Sequence, residues 1–221
     1  MLDISKLKYV VFDWDNTLVE SRSSLTAAIN EVLSIYRLPC WDKVKHLRDG
    51  SLSFKDNFPL IFGKTAEEAY RRYREIYLRI MPTKIKVFPY VEKLLIFLSV
   101  RGVQLYVVSN KERILLEKEK ELLLPHIYFR KIVCGHEAPA DKPSPQHIFY
   151  ALADEISAED ITPEEVWVVG DSPLDSEAAI KAHARAIRIG RSIWGDEGEP
   201  DNQVVYFNDF IDFYQNLGKK N

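Results

Sequence analysis

The sequence predicts an α/β protein, a doubly wound parallel sheet with a helical segment inserted after its first strand. Three observations carry that class. Short apolar runs alternate with amphipathic stretches through the second half of the chain, which is the rhythm of a parallel sheet with helices on both faces. Residues 21–88 break the rhythm with helical patterns alone. Polar residues then stand at the ends of the apolar runs, where open α/β sheets bind their ligands.

The first strand is Tyr9, Val10, Val11 and Phe12, a run apolar enough to be buried on both faces. "SLTAAINEVLSIY" and "TAEEAYRRYREIYLRI" follow as amphipathic helices, separated by the Gly- and Pro-punctuated "RDGSLSFKDNFPLIFG", which reads as loop with short helix. "MPTKIKVFPYV" reads as a linker back to the sheet. "VQLYVVSN" is the next strand, and "KERILLEKEKELLL" is a helix with apolar positions at Ile114, Leu115, Leu122 and Leu123. "RKIVCG" is a short strand. "SPQHIFYALADEI" is a helix with Ser144 as N-cap and Pro145 in its first turn. "EVWVVGDS" is a strand, "DSEAAIKAHA" a helix, and "RAIRIG" and "QVVYF" are further strands. The expected organisation is a core of residues 1–20 and 89–221, with 21–88 inserted.

Composition narrows the function classes. At 221 residues the chain is long enough for one sizeable core and an insertion, and its apolar fraction of 46% is that of a soluble globular protein. A net charge of −3, with Arg71, Arg72 and Arg74 diluted by acidic neighbours, argues against a nucleic-acid partner. Runs such as "LLIFL" are too short for a bilayer, and the N-terminus has no long apolar segment of a secretion signal. Cys40 and Cys134 lack metal-ligand spacing and suggest a reducing compartment. A cytoplasmic protein is expected, with no membrane partner.

The strand ends carry, in order, Asp13 and Asp15; Ser109 and Asn110; and Asp171, with Asp175 one helical turn on. "ADKPSP" adds Lys142 just before a helix. Like charges at the rim of a core repel and lose hydration, so Asp13 and Asp15 need compensation. Carboxylates hold a hard cation such as Mg²⁺. Ser109, backbone N–H groups and Lys142 can hold phosphoryl oxygens, and an in-line aspartate can attack phosphorus. Each cluster alone has a plainer explanation, as turn, helix cap or surface lysine. Together, at successive strand ends, they describe a site for a phosphate ester.

"DWDNTLVE", "VVSNK", "DKPSP" and "VVGDSPLDSEAA" resemble the four motifs of haloacid dehalogenase-like hydrolases, over about Tyr9 to Phe210. The insertion falls where that family places a cap, and length and cap position are similar to the phosphoglycolate phosphatase-like branch. The resemblance implies a Mg²⁺-dependent phosphatase acting on a small phosphorylated metabolite through an aspartyl-phosphate. Asp13 would be nucleophile and metal ligand. Asp15 would be general acid/base, with its carbonyl on the metal. Asp171 would be a ligand, and Asp175 would support the metal waters or Lys142. Ser109 and Lys142 would bind the phosphoryl group, with Asn110 beside them, and Thr17 would steady the loop around Asp13. An acid at position 15, which family dehalogenases lack, favours phosphoryl transfer over carbon–halogen cleavage.

A phosphotransferase or sugar-phosphate mutase would use the same residues. A non-catalytic binding protein of the same fold would be expected to lack one of the four key side chains, and none is missing. In the insertion, Arg22, Arg48, Ser51 and Lys55 are candidates to face the leaving group. Arg48, in "RDGS", can reach a substrate carboxylate or second phosphate, or stand as a solvated loop arginine. Tyr70, Tyr73 and Tyr77 read as core packing. His46, His126, His147 and His183 show no ligand spacing, His136 ahead of the lysine motif reads as a surface residue, and Trp194 has no assigned function.

Overall fold

The computed structural model describes residues 2–191 and 201–218; Trp194 lies outside the described residues. The chain enters through β1 (Tyr9–Phe12) and a two-residue strand β2 (Val19–Glu20). The helical insertion follows as α1 (Arg22–Ile35), α2 (Trp41–Val44), α3 (Phe58–Phe62) and α4 (Ala66–Ile80), and the chain returns through β3 (Lys86–Val87). Next come α5 (Val91–Val100), β4 (Gln104–Val108), α6 (Arg113–Leu123), β5 (Lys131–Val133) and α7 (Gln146–Leu152). The chain closes with β6 (Val166–Gly170), α8 (Pro173–Lys181), β7 (Arg185–Ile189), β8 (Val204–Phe207) and α9 (Phe210–Asn216).

Six strands form one sheet in the order β5-β4-β1-β6-β7-β8, with every pairing parallel. The chain runs outward from β1 through β4 to β5, then restarts on the other side at β6. The switch point therefore falls at the carboxyl end of β1. Phe12 stands opposite both Val107 and Val169. This register brings Asp13, Ser109 and Asp171 to one edge of the sheet.

Successive β1 residues feed opposite layers, as the period of 2 demands. Val10 and Phe12 join Leu105, Val107, Trp167 and Val169 on the face covered by α5, α6 and α9. Val11 joins Tyr106, Val108, Val166 and Val168 on the face covered by α7 and α8. The predicted fold class holds. Among the described residues no helix is long and apolar enough to cross a membrane.

The insertion packs α1 and α3 against α4. Its interior is aromatic: Phe58 meets Tyr70 edge-on at 4.9 Å and Phe54 lies 5.0 Å from Tyr73. Tyr73 and Tyr77 are buried, as their helical spacing suggested. The insertion hangs on the antiparallel pair β2–β3, with Val19 opposite Val87 and Glu20 opposite Lys86. Two-residue strands are too short to show a periodic pattern, which is why the sequence read only a linker there.

Two local expectations are corrected. In α6 the buried residues are Leu115, Leu116 and Glu119, while Ile114 and Leu122 are half exposed. The helix turns its face toward a buried acid, which apolar periodicity cannot anticipate. At α7 the N-cap position is Pro145, one residue later than expected; the Ser144 hydroxyl still accepts the Gln146 N–H at 3.3 Å.

Candidate active site

The edge of the sheet gathers a set of buried charges. Lys142, from the loop before α7, ends beneath β1 with its side chain 4% exposed. Its Nζ donates to Asp13 Oδ1 at 2.6 Å, Asp175 Oδ1 at 2.7 Å and the Val108 carbonyl at 2.7 Å. An ammonium has three protons, and each has its acceptor. Burial alone would push Lys142 down, but the Asp13 and Asp175 carboxylates outweigh it and hold the ammonium well above its ordinary range. Asp13 behaves otherwise: burial pushes its carboxyl up to about 7, against the pull of Lys142, and Asp175 adds to the rise.

Asp175 sits in the first turn of α8, and its Oδ2 accepts the N–H of Ser172 at 3.1 Å and its hydroxyl at 2.6 Å. Position 170 has room only for glycine, since a Cβ there would stand 2.3 Å from the Asp175 Cγ. Asp171 Oδ2 accepts from Asn16 Nδ2 at 2.9 Å. Asn16 has φ +56°, a left-handed conformation that asparagine tolerates better than most residues.

Asp13, Asp171 and Asp175 each offer a carboxylate oxygen within 4.8 Å of one another, and all three are buried. Two of these acids share the Lys142 ammonium, and the donors are all hard oxygens. This set fits a hard divalent cation such as Mg²⁺. The Asp15 carboxylate is not in the group. It turns to Lys111, whose Nζ lies 2.8 Å from Asp15 Oδ1.

A cavity of about 100 Å³ opens above these groups. Asp13, Asp15, Ser109, Asn110, Lys111, Lys142, Asp171 and Asp175 line it from the core, and Arg48, Phe54, Lys55, Tyr70 and Tyr73 come from the insertion. The structure thus brings together most of the residues expected from the sequence. Thr17 is apart: it is fully buried, does not line this cavity, and its hydroxyl has no hydrogen-bond partner among the described residues. Asn110 reaches the cavity wall but spends its amide on the Lys142 backbone, donating to the carbonyl at 2.8 Å and accepting the N–H at 3.1 Å. Of the cap candidates, Arg48 and Lys55 line the cavity, while Arg22 and Ser51 do not. The Ser51 hydroxyl is bound to Asp49 Oδ1 at 2.6 Å.

Sequence reasoning missed Asn16 and Lys111. Lys111 was within reach: it closes the quoted "VVSNK", directly after the two residues assigned to the site. The neighbours that hold it, Glu119 and Tyr77, gave no such signal.

The family model for haloacid dehalogenase-like hydrolase matches residues 10–189, and the chain belongs to that family. Within it the chain is a phosphoric monoester hydrolase. It is 30% identical to a phosphoglycolate phosphatase of Aquifex aeolicus over 192 residues, 86% of each chain. It is 29% identical to a phosphoglycolate phosphatase of Chromobacterium violaceum, over 86% of this chain and 87% of the relative. A solved structure from Haemophilus somnus, described as a predicted phosphoglycolate phosphatase, superposes with a TM-score of 0.79 at 22% identity, over 96% of this chain and 98% of the other. At that identity the likeness speaks for the fold.

Proposed function

We propose that this protein is a Mg²⁺-dependent phosphatase that hydrolyses a small phosphorylated metabolite with an anionic leaving group, of the phosphoglycolate type. The observation that carries the reading is the placement of Asp13. It is held by Lys142 in a cavity that Arg48 and Lys55 also line.

Asp13 would attack phosphorus while the ester P–O bond breaks, and Asp15 would give the leaving oxygen its proton. Asp15 would then take a proton from the water that opens the aspartyl-phosphate. Asp13, Asp171 and Asp175, with the backbone carbonyl of Asp15, would hold the Mg²⁺. Bound there, the ion supplies positive charge to a phosphoryl group in transfer. Lys142 keeps Asp13 and Asp175 in place, and Asn110 keeps the Lys142 backbone in place. Ser109 accepts the Lys111 N–H at 3.3 Å, which leaves its own O–H for a phosphoryl oxygen.

Arg48 and Lys55 would receive a substrate carboxylate. Residues 21–88 would act as a cap on the core formed by 1–20 and 89–221, with the β2–β3 pair as the hinge region. We read the enzyme as cytoplasmic, with no nucleic-acid or membrane partner; the unpaired Cys40 and Cys134 support that compartment.

The test is phosphate release from a panel of phosphorylated metabolites with Mg²⁺ and with EDTA, alongside Asp13→Asn and mass spectrometry of trapped enzyme. Phosphoglycolate should head the panel, EDTA should abolish turnover, and the label should sit on Asp13. Full turnover in EDTA, or label on Ser109, would overturn the reading. Transfer to a sugar hydroxyl in preference to water would make the enzyme a phosphotransferase or mutase.

A further inference from the structure

Lys111 looks at first like a second cation for the substrate, since it follows Ser109 and Asn110 and borders the same cavity. Its hydrogen bonds say otherwise. The Nζ reaches Asp15 Oδ1 at 2.8 Å, Glu119 Oε1 at 2.5 Å and the Tyr77 hydroxyl oxygen at 3.1 Å. Three acceptors take up the three ammonium protons, so none remains for a phosphate or a carboxylate. The side chain is 4% exposed and Glu119 is fully buried.

Glu119 is itself fixed from two other sides. The Tyr77 O–H donates to Oε1 at 2.6 Å, and the Trp14 indole N–H donates to Oε2 at 2.7 Å. Trp14 is the residue between the two leading acids, and Tyr77 lies on α4 of the insertion. Asp15, by contrast, lines the cavity with its side chain 22% exposed. Among the described residues, no side chain other than Lys111 bonds its carboxylate.

We propose that Lys111 is the positioning residue for Asp15, and that Glu119, Trp14 and the cap residue Tyr77 hold Lys111 in place to do it. The inference rests on the reading of Asp15 as general acid/base and adds how that carboxylate is aimed. A general acid works only within hydrogen-bond reach of the leaving oxygen, about 2.6–3.2 Å. An exposed carboxylate without a partner would sample several rotamers and spend little time there. The contact with Tyr77 makes the aim depend on where α4 sits.

The discriminating measurement is leaving-group dependence. An alkyl phosphate needs a proton on its leaving oxygen, whereas p-nitrophenolate departs without one. Removing Lys111 alone would strand the Glu119 charge in the core. The main variant is therefore Lys111→Met/Glu119→Gln, with Tyr77→Phe as a milder one and Asp15→Asn as reference. Circular dichroism and thermal melts establish that each is folded.

The double variant should lose roughly 10²-fold in single-turnover hydrolysis of an alkyl phosphate, near the lower end of general-acid effects. Its pre-steady-state p-nitrophenolate burst should be nearly unchanged, and its KM close to wild type. Tyr77→Phe should show the same pattern, several-fold rather than a hundred-fold. If Asp15→Asn slows both esters alike, the underlying reading of Asp15 fails. If Asp15→Asn discriminates between the esters and the double variant does not, the positioning role of Lys111 fails. A raised KM for both esters with kcat intact would make Lys111 a substrate cation and overturn the proposal. An unaffected Tyr77→Phe would sever the link to the cap.

Discussion

Asp13→Asn should inactivate the enzyme and stabilise it. Asp13, Asp171 and Asp175 are buried together, Asp13 and Asp175 against the ammonium of Lys142, and burial raises the Asp13 carboxyl from 3.8 to about 7. A carboxyl with a raised folded pKa binds its proton more tightly in the native than in the unfolded chain. Stability then falls as pH rises from about 4 to about 7, and the loss is complete above that window. A rise of about three units, at about 1.36 kcal/mol each, sets a ceiling of about 4 kcal/mol. Asparagine is nearly isosteric and uncharged, so it removes this cost. The attraction of Lys142 is already contained in that rise; the amide's second N–H, which a protonated acid lacks, needs a partner in the buried site and takes back about 1–3 kcal/mol. The expected net gain at pH 8 in EDTA is about 1–2 kcal/mol, or roughly 2–8 °C in Tm for a chain of this size.

Thermal melts of wild type and Asp13→Asn at pH 5 and pH 8 test this. At pH 5 the wild-type carboxyl is already protonated, and the advantage of the variant should vanish or reverse. Excess Mg²⁺ at pH 8 should raise the wild-type Tm more than that of the variant, because the ion binds the folded acids and not the unfolded chain. A variant less stable than wild type at pH 8 would refute the reasoning. So would an equal difference at both pH values, which would place the effect in packing rather than charge.

Arg48→Ala should raise KM for phosphoglycolate about ten-fold or more and leave p-nitrophenyl phosphate nearly unaffected, since only the former offers a carboxylate; steady-state kinetics on both esters decide it. Gly170→Ala should cost about 1–3 kcal/mol, and activity should fall with it, because the new Cβ would meet the Asp175 side chain that steadies Lys142; urea melts and turnover read the two effects. His147 is fully buried, and burial, aided by nearby Lys142, holds its imidazole down to about 3 from 6.5. The unfolded chain therefore binds a proton that the native one does not, so the contribution of His147 is intact above pH 6.5 and is lower by about 2 kcal/mol at pH 5, opposite in sign to that of Asp13. Urea melts should show His147→Gln gaining about 2 kcal/mol on wild type between pH 7 and 5, and a constant difference would clear His147 of the effect.

What the sequence made legible was whatever is local. An apolar run that stops at Asp13, Ser109 or Asp171 announces both a strand and its polar end. The parallel register then does the rest, because Phe12, Val107 and Val169 lie level. What stayed hidden depends on partners far along the chain. Glu119 sits among charged neighbours in "LEKEKELL" and reads as surface, yet Trp14, 105 residues away, binds it in the core. Asn110 reads as a substrate ligand until its amide is seen spanning the Lys142 backbone. Thr17 reads as steadying the loop around Asp13, and only the fold shows its complete burial, away from the cavity.

The two leading acids are held by one device used twice. Lys142 stands between Asp13 and Asp175, and Lys111 stands between Asp15 and Glu119. In each case a buried lysine is shared by one of the two leading acids and a second carboxylate. A lone lysine in so dry a place would tend to lose its proton, and a lone acid to keep one. The second acid keeps the lysine charged, and it also takes a share of the ammonium's hydrogen bonds. The leading acid is thereby fixed in place without claiming the whole cation. The pairs differ in what stands behind them. Asp175 is anchored in the core through Ser172 at the start of α8, so Asp13 is held whatever the insertion does. Glu119 is anchored in part through Tyr77 on α4. On the proposed roles, a nucleophile fixed to the core and an acid/base fixed partly to the insertion would let the protein bind a phosphate with the cap open and complete its proton transfer with the cap closed.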